Sequence, residues 1–150
     1  LVLPDQLIDY SHGRAASFYD SPDMPLVHVD FTEPFDAGLR GKLRTALQHS
    51  PLNWLDGGCY GVTQGPRLET AAEIRRMERD GCTIVGMTAM PEAVLARELA
   101  IPYAMLSLVV NPAAGKVEGE ITMAQIEAVI HQGMGQVCEF LSGFAGGFST

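Results

Sequence analysis

Cys59-Tyr60-Gly61-Val62-Thr63, then Thr70-Ala71-Ala72-Glu73 and, past Gly81, Thr83-Ile84-Val85-Gly86-Met87 are the stretches that set the fold. The first and last runs are short and apolar, and each reads as a strand. Between them the spacing of Thr70 and Glu73 fits a capping box, in which hydroxyl and carboxylate each satisfy an orphan backbone N–H. The helix so opened should end at Gly81. Strand, helix and strand in succession predict an α/β domain with a largely parallel or mixed sheet.

The rest of the chain extends this pattern in both directions. Upstream, Asp36 can cap a helix running to about His49, with Leu39, Leu43 and Leu47 at helical spacing and Pro51 beyond its end. Leu1-Val2-Leu3 is an apolar run stopped by Pro4, His12 to Pro25 is irregular, and Asp56-Gly57-Gly58 is a turn. Downstream, Thr83 to Met87 reads as a short buried strand, and Pro91 suits the first position of the next helix. Tyr103 to Val110 is almost purely apolar, as expected of a central strand covered on both faces. Thr122 and Gln125 form a second capping box, opening a long helix whose apolar face is Met123, Ile126, Val129, Ile130, Val137 and Leu141. A Gly/Phe/Ser-rich tail runs from Gly143 to Thr150.

Composition narrows the class of function. The 150 residues suit one domain with a sizeable core. Ten Lys and Arg stand against 18 Asp and Glu, a formal charge of −8. That balance argues against a nucleic-acid or anionic-membrane partner, since both are held through excess basic residues. No apolar run approaches the roughly 20 residues of a membrane span. Three cysteines, Cys59, Cys82 and Cys138, with no C-x-x-C pair, make neither a disulfide framework nor a zinc knuckle, and point to a reducing cytoplasm. No His pair has metal-ligand spacing; His131 lies in the closing helix, and His12, His28 and His49 read as loop or surface residues. The methionines are by default core filler. No P-loop, G-x-G-x-x-G or G-x-S-x-G string is present. The chain begins at Leu1 inside an apolar run, which suggests a start within a larger domain.

In open α/β sheets, ligands bind at the carboxyl ends of the strands. Three such ends carry unusual polar residues: Gly65 to Thr70, Gly86 to Glu92, and Asn111 to Gly115. Thr88 either donates to a bound anion or helps cap the following helix. Glu69 is a ligand contact or an exposed loop carboxylate, and Arg67 a phosphate clamp or the partner of Glu69. Asn111 offers donors and an acceptor, suiting a polar heterocycle or a turn at Pro112.

Together, these strings resemble a known family. Tyr60-Gly61-Val62-Thr63-Gln64-Gly65-Pro66-Arg67-Leu68-Glu69-Thr70, then Gly86-Met87-Thr88-Ala89-Met90-Pro91-Glu92 with Ala96-Arg97-Glu98, are similar to the trimeric purine nucleoside phosphorylase and methylthioadenosine phosphorylase family. Pro4 to Tyr10 and Ser17-Phe18-Tyr19-Asp20 resemble its methylthioadenosine branch. The resemblance runs from Leu1 to about Gly143. It implies a three-layer α/β phosphorylase-like fold, with a mixed central sheet flanked by helices, of which residues 1–150 are the carboxy-terminal portion. The family's glycine-rich phosphate loop, an Arg-His pair and a second Arg segment would precede Leu1, so the phosphate site is expected to be only partly built.

The resemblance also implies roles. Thr88 corresponds to a hydroxyl on phosphate, Met87 to the methionine beneath the ribose, and Leu68 to an aromatic flanking the base. Glu69 corresponds to the glutamate that accepts from N1–H of a 6-oxopurine. The adenine-specific branch carries Asp where this chain has Asn111 and Ala113. An amide at that position can donate to a 6-oxo oxygen and accept a proton held on N7, which makes Asn111 the expected catalytic residue. Ile121 and Met123 occupy a region where enzymes for ordinary nucleosides place a His, and suit an apolar 5′-methylthio group. Met24 falls where a neighbouring subunit would contribute a residue in a homotrimer. The expected reaction is phosphorolysis of 5′-methylthioinosine with inorganic phosphate as co-substrate and no metal or cofactor. Inosine, guanosine or methylthioadenosine phosphorolysis, or a non-catalytic purine-binding fragment, are the alternatives.

Overall fold

Pro4 has no amide hydrogen for a ladder, and the first strand stops in front of it. In the computed structural model, which describes residues 1–147, β1 (Val2–Leu3) pairs in parallel with β3 (Leu55–Asp56). Beyond Pro4, β2 (Gln6–Asp9) pairs in parallel with β4 (Cys59–Val62). The expected turn links the two ladders. Gly57 N–H donates to the Leu3 carbonyl at 2.9 Å, and Gly58 N–H to the Asp5 carboxylate at 2.9 Å. Both glycines have positive φ, +84° and +113°, a region costly for side-chain-bearing residues. Beside β4 lies β5 (Cys82–Gly86), so the three-stranded sheet has the order β2-β4-β5, all parallel.

Helices cover both faces of this sheet. Successive side chains of a strand alternate in direction. Tyr60 and Val62 point to one side, where they pack with Ala89, Met90 and Ala93 at the start of α3 (Glu92–Glu98). Gly61 points to the other, where a Cβ would lie 3.4 Å from Met77 Sδ of α2 (Ala71–Arg79) and 3.1 Å from Cys82 Sγ. Both halves of the Thr70/Glu73 capping box form, and Gly81 follows the helix with φ +98°. In α1 (Ala37–Gln48), the Asp36 carboxylate accepts the Leu39 N–H at 2.6 Å. Its Leu43 and Leu47 pack on Leu3, joined by Trp54, Leu106 and Phe140 of α4 (Met123–Gly146). Burying each such side chain contributes about 1.5–3 kcal/mol.

Five expectations need correction. Tyr103 to Val110 is not a laddered central strand. Among the described residues its backbone pairing is one antiparallel bridge, Ser107 with Val2, each N–H donating at 2.8 Å. Its apolar character has another cause: Tyr103 and Met105 enter the cluster around Tyr60, while Ala104 and Leu106 enter the cluster around Leu47. The segment bridges two cores, and the two-residue β1 offers it only a short partner. The apolar face of α4 is only partly covered, with Ile126 and Val137 buried but Met123, Val129, Ile130 and Leu141 largely exposed. Its packing is concentrated at Phe140 and at Gly133, where a Cβ would sit 2.8 Å from Leu108. The strand β5 is half-buried rather than fully buried, because it is the edge strand of its sheet and borders an open cavity. Pro91 stands at the N-cap of α3, one residue before the helix begins. Among the methionines, Met77 and Met90 are core, whereas Met24, Met123 and Met134 are exposed. Of the expected Gly143 to Thr150 tail, residues through Gly146 continue α4, and residues 148–150 lie outside the described residues.

Candidate active site

Parallel pairing brings the carboxyl ends of β2, β4 and β5 to one edge of the sheet. The loops leaving that edge carry the polar residues singled out in the sequence. A cavity of about 650 Å³ opens there, between β5, the segment 107–114, the side of α2 and the start of α4. Its size falls in the range of small-molecule sites. Leu68, Glu69, Met87, Asn111, Ala113, Ile121 and Met123 all line it. A smaller recess of about 230 Å³ adjoins it and shares Leu68, Glu69, Ala113 and Ile121. Seven of the nine expected positions therefore meet on one cavity, from four separate stretches of chain.

The other two lie outside its lining. Thr88 follows Met87 directly and is exposed, its hydroxyl 3.0 Å from that of buried Tyr60, while its N–H donates to the same phenol oxygen at 3.4 Å. The capping alternative for Thr88 fails, since α3 begins at Glu92 with no side-chain cap. Met24 is exposed in the irregular loop before α1, where its N–H donates to the Ser21 carbonyl at 3.0 Å.

The polar groups are held by specific partners. Glu69 accepts the Thr63 hydroxyl at 2.6 Å. Asn111 donates one amide N–H to the Pro112 carbonyl at 2.7 Å, which fixes the amide plane and leaves its carbonyl oxygen and second N–H for a ligand. Met87 is packed under the loop by Gly65, where a Cβ would lie 2.5 Å from the Met87 sulfur. Lys116 and Glu78, both on the cavity, form an ion pair at 2.6 Å.

Arg67 corrects both readings of it. It neither faces the cavity nor pairs with Glu69. Its guanidinium makes a two-pronged bond to Glu73, at 2.8 and 2.7 Å. Glu73, at the third helical position, is turned back toward the helix start by the capping box, which places its carboxylate within reach. That guanidinium, followed by the Thr70 N–H, holds the Glu73 carboxyl down at about 2.

Three further residues organise the edge and gave no local signal in the sequence. Arg14 donates to the carbonyls of Met90, Thr63 (3.0 Å) and Gln64 (3.3 Å), tying three loops together. Tyr60 carries Thr88, as above. Thr63 joins β4 to β5 and to Glu69. Burial, then the neighbouring Cys82, pushes the Cys59 thiol up to about 11, which keeps it from acting as a thiolate near neutral pH. Among the described residues no group of three or more His, Cys, Asp or Glu is placed to hold a metal ion, and no helix is long and apolar enough to cross a membrane.

Fold and site together define an α/β protein with a mainly apolar cavity at the carboxyl edge of a parallel sheet, bordered by Glu69, Asn111 and the Lys116–Glu78 ion pair. Residues 1–145 match the Phosphorylase superfamily, and the chain belongs to that family. It is 53% identical over 135 residues to a Pseudomonas syringae pv. tomato protein named probable S-methyl-5′-thioinosine phosphorylase, covering 90% of this chain and 55% of that protein. It is 43% identical over 130 residues to the 6-oxopurine nucleoside phosphorylase of Pyrococcus furiosus, covering 83% of this chain and 49% of that one. Among solved structures, methylthioadenosine phosphorylase from Schistosoma mansoni in complex with adenine superposes with a TM-score of 0.90 at 25% identity, over 99% of this chain and 59% of that chain. The chain thus spans about half the length of the curated relatives it matches.

Proposed function

We propose that the protein catalyses phosphorolysis of S-methyl-5′-thioinosine, giving hypoxanthine and 5-methylthioribose 1-phosphate. The observation that carries this reading is the convergence of Glu69, Met87, Asn111, Ile121 and Met123 on one cavity. In the reaction the glycosidic C–N bond breaks with its electron pair passing to the purine, while a phosphate oxygen bonds to the anomeric carbon. The protein must hold phosphate against the sugar and stabilise negative charge on the departing base. Thr88 supplies a hydroxyl to phosphate, and Met87 lies beneath the ribose. Leu68 and Ala113 flank the base. Glu69 accepts from N1–H, and Asn111 donates to the 6-oxo oxygen while its carbonyl accepts a hydrogen bond from N7–H, the N7 proton coming from solvent as the base departs. A site built on such hydrogen bonds can reject the wrong base by about 10⁴-fold, because the mismatched base leaves buried polar groups unpaired.

Ile121 and Met123 provide the apolar surface for the 5′-methylthio group, where one apolar group changes preference by about 1–3 kcal/mol. Salvage of purines in the cytoplasm is the role that fits this chemistry, with the protein a homotrimer in which Met24 reaches a neighbour's site. Inorganic phosphate is the co-substrate, with no metal or other cofactor.

Comparing kcat/KM of the full protein on methylthioinosine, methylthioadenosine and inosine tests the proposal. Methylthioinosine should be favoured over both. Equal rates on the two methylthio nucleosides would overturn the base assignment. Asn111→Asp should lower methylthioinosine turnover by about 10- to 100-fold, the worth of one hydrogen bond to a charged group, and unchanged activity would remove Asn111 from the leaving-group role. A second reading, phosphorolysis of ordinary 6-oxopurine nucleosides, is favoured by the name of the Pyrococcus furiosus relative; inosine turned over as fast as methylthioinosine would establish it.

A further inference from the structure

Thr63 is the polar residue buried at the carboxyl edge, and its hydroxyl lies between two acceptors: Glu69 Oε1 at 2.6 Å and the Gly86 carbonyl at 3.2 Å. The Gly86 carbonyl already accepts the Thr63 backbone N–H at 2.7 Å. A hydroxyl has one proton to give, and the shorter contact takes it. The hydroxyl therefore occupies one Glu69 oxygen and fixes the direction in which the other is presented. The short contacts of the neighbouring cations go to other carboxylates: Arg67 to Glu73, and Lys116 to Glu78.

We propose that Thr63 is a specificity-determining positioning residue, which holds one oxygen of the Glu69 carboxylate so that the other is aimed to accept from a purine bearing a proton on N1. The idea rests on the function proposed above and deepens it. A 6-oxopurine presents N1–H, which an ionised carboxylate accepts. A 6-aminopurine presents a bare N1, which that carboxylate repels and only a protonated glutamic acid could satisfy. Thr63 thus sets base choice from outside the cavity lining, in addition to Asn111. The role is separable from stitching the strand end, because two backbone anchors survive loss of the hydroxyl: the Thr63 N–H to Gly86, and the Arg14 guanidinium to the Thr63 carbonyl.

The test compares Thr63→Val, nearly isosteric but without the hydroxyl, and Thr63→Ser, which keeps it, in the full protein. The readout is kcat/KM for methylthioinosine divided by that for methylthioadenosine. Thr63→Val should lower this ratio by about tenfold or more, as expected when a buried polar group loses its designed partner, and Thr63→Ser should restore it to near the wild-type value. Should Thr63→Val fail to fold, Thr63→Ala removes the same hydroxyl and gives the same readout. An unchanged ratio, or an equal fall on both nucleosides, overturns the assignment. If the wild-type protein shows no preference for methylthioinosine, the underlying functional reading fails instead, and the two failures are told apart by the wild-type ratio alone.

Discussion

Gly86→Ala is a sharp test of how the carboxyl edge is built. A Cβ at position 86 would stand 2.1 Å from the Tyr60 hydroxyl and 3.0 Å from the ring carbon bearing it. Tyr60 has little room to retreat: it is 4% exposed and packed among Val62, Ala89, Met90 and Ala93. Overpacking of this kind costs about 1–3 kcal/mol. Displacing the hydroxyl also breaks its hydrogen bond with Thr88, worth about 0.5–1.5 kcal/mol. The expected destabilisation is about 2–4 kcal/mol, and at about 2–4 °C per kcal/mol for a protein of this size the Tm should fall by about 4–16 °C. A double-mutant cycle with Tyr60→Phe, followed by urea unfolding, isolates the clash. In the Tyr60→Phe background Gly86→Ala should cost at least about 1 kcal/mol less, because the atom it strikes is gone. Equal costs in the two backgrounds would refute the reasoning.

Two further predictions probe the core and the helix start. Leu47 is fully buried against Leu3 and Leu43, so Leu47→Ala should cost about 2–5 kcal/mol in urea unfolding, and a loss under 1 kcal/mol would show that this cluster is not a packed core. Arg67→Ala should raise the Glu73 titration midpoint from about 2 toward its ordinary value of 4.5, read by carboxyl-carbon NMR. The Thr70 N–H remains, so the return is partial. Because the folded value is depressed, this interaction stabilises the fold above the ordinary carboxylate range and is lost as pH falls through about 2. A midpoint that stays put would assign the whole shift to the capping box.

What could be read from the chain alone follows from how local each interaction is. The caps at Asp36, Thr70 and Thr122 join residues three apart and form as the spacing predicts. The strand–helix–strand unit from Cys59 to Gly86 is equally local. Tyr103 to Val110 misled because an apolar run reports covering, not pairing. Strand β2 was hidden because Gln6-Leu7-Ile8-Asp9 is short, half-buried and directly follows a proline and an aspartate. That Leu68, Glu69, Met87 and Asn111 border one cavity was legible because they follow strand ends, which parallel pairing brings to one edge. Arg67 was not, because choosing between Glu69 and Glu73 depends on the turn of a helix start.

The groups missed altogether, Arg14 and Thr63, act on backbone carbonyls and side chains brought near only by folding, and they fix the loops at this edge. Where parallel strands part to leave a crevice, their last carbonyls lose ladder partners, and unpaired buried carbonyls destabilise the opened arrangement. At this edge the Arg14 fork satisfies Thr63, Gln64 and Met90, while the Thr63 N–H takes Gly86. A lysine could not do the same, since one ammonium lacks the planar spread of donors that reaches across two loops. With those carbonyls satisfied, the loops can stay apart. Glu69 and Met87 then reach the cavity from loops whose backbones are fixed by residues outside its lining. On the proposed function, one set of side chains meets the ligand, and another fixes the backbone of the loops that carry them.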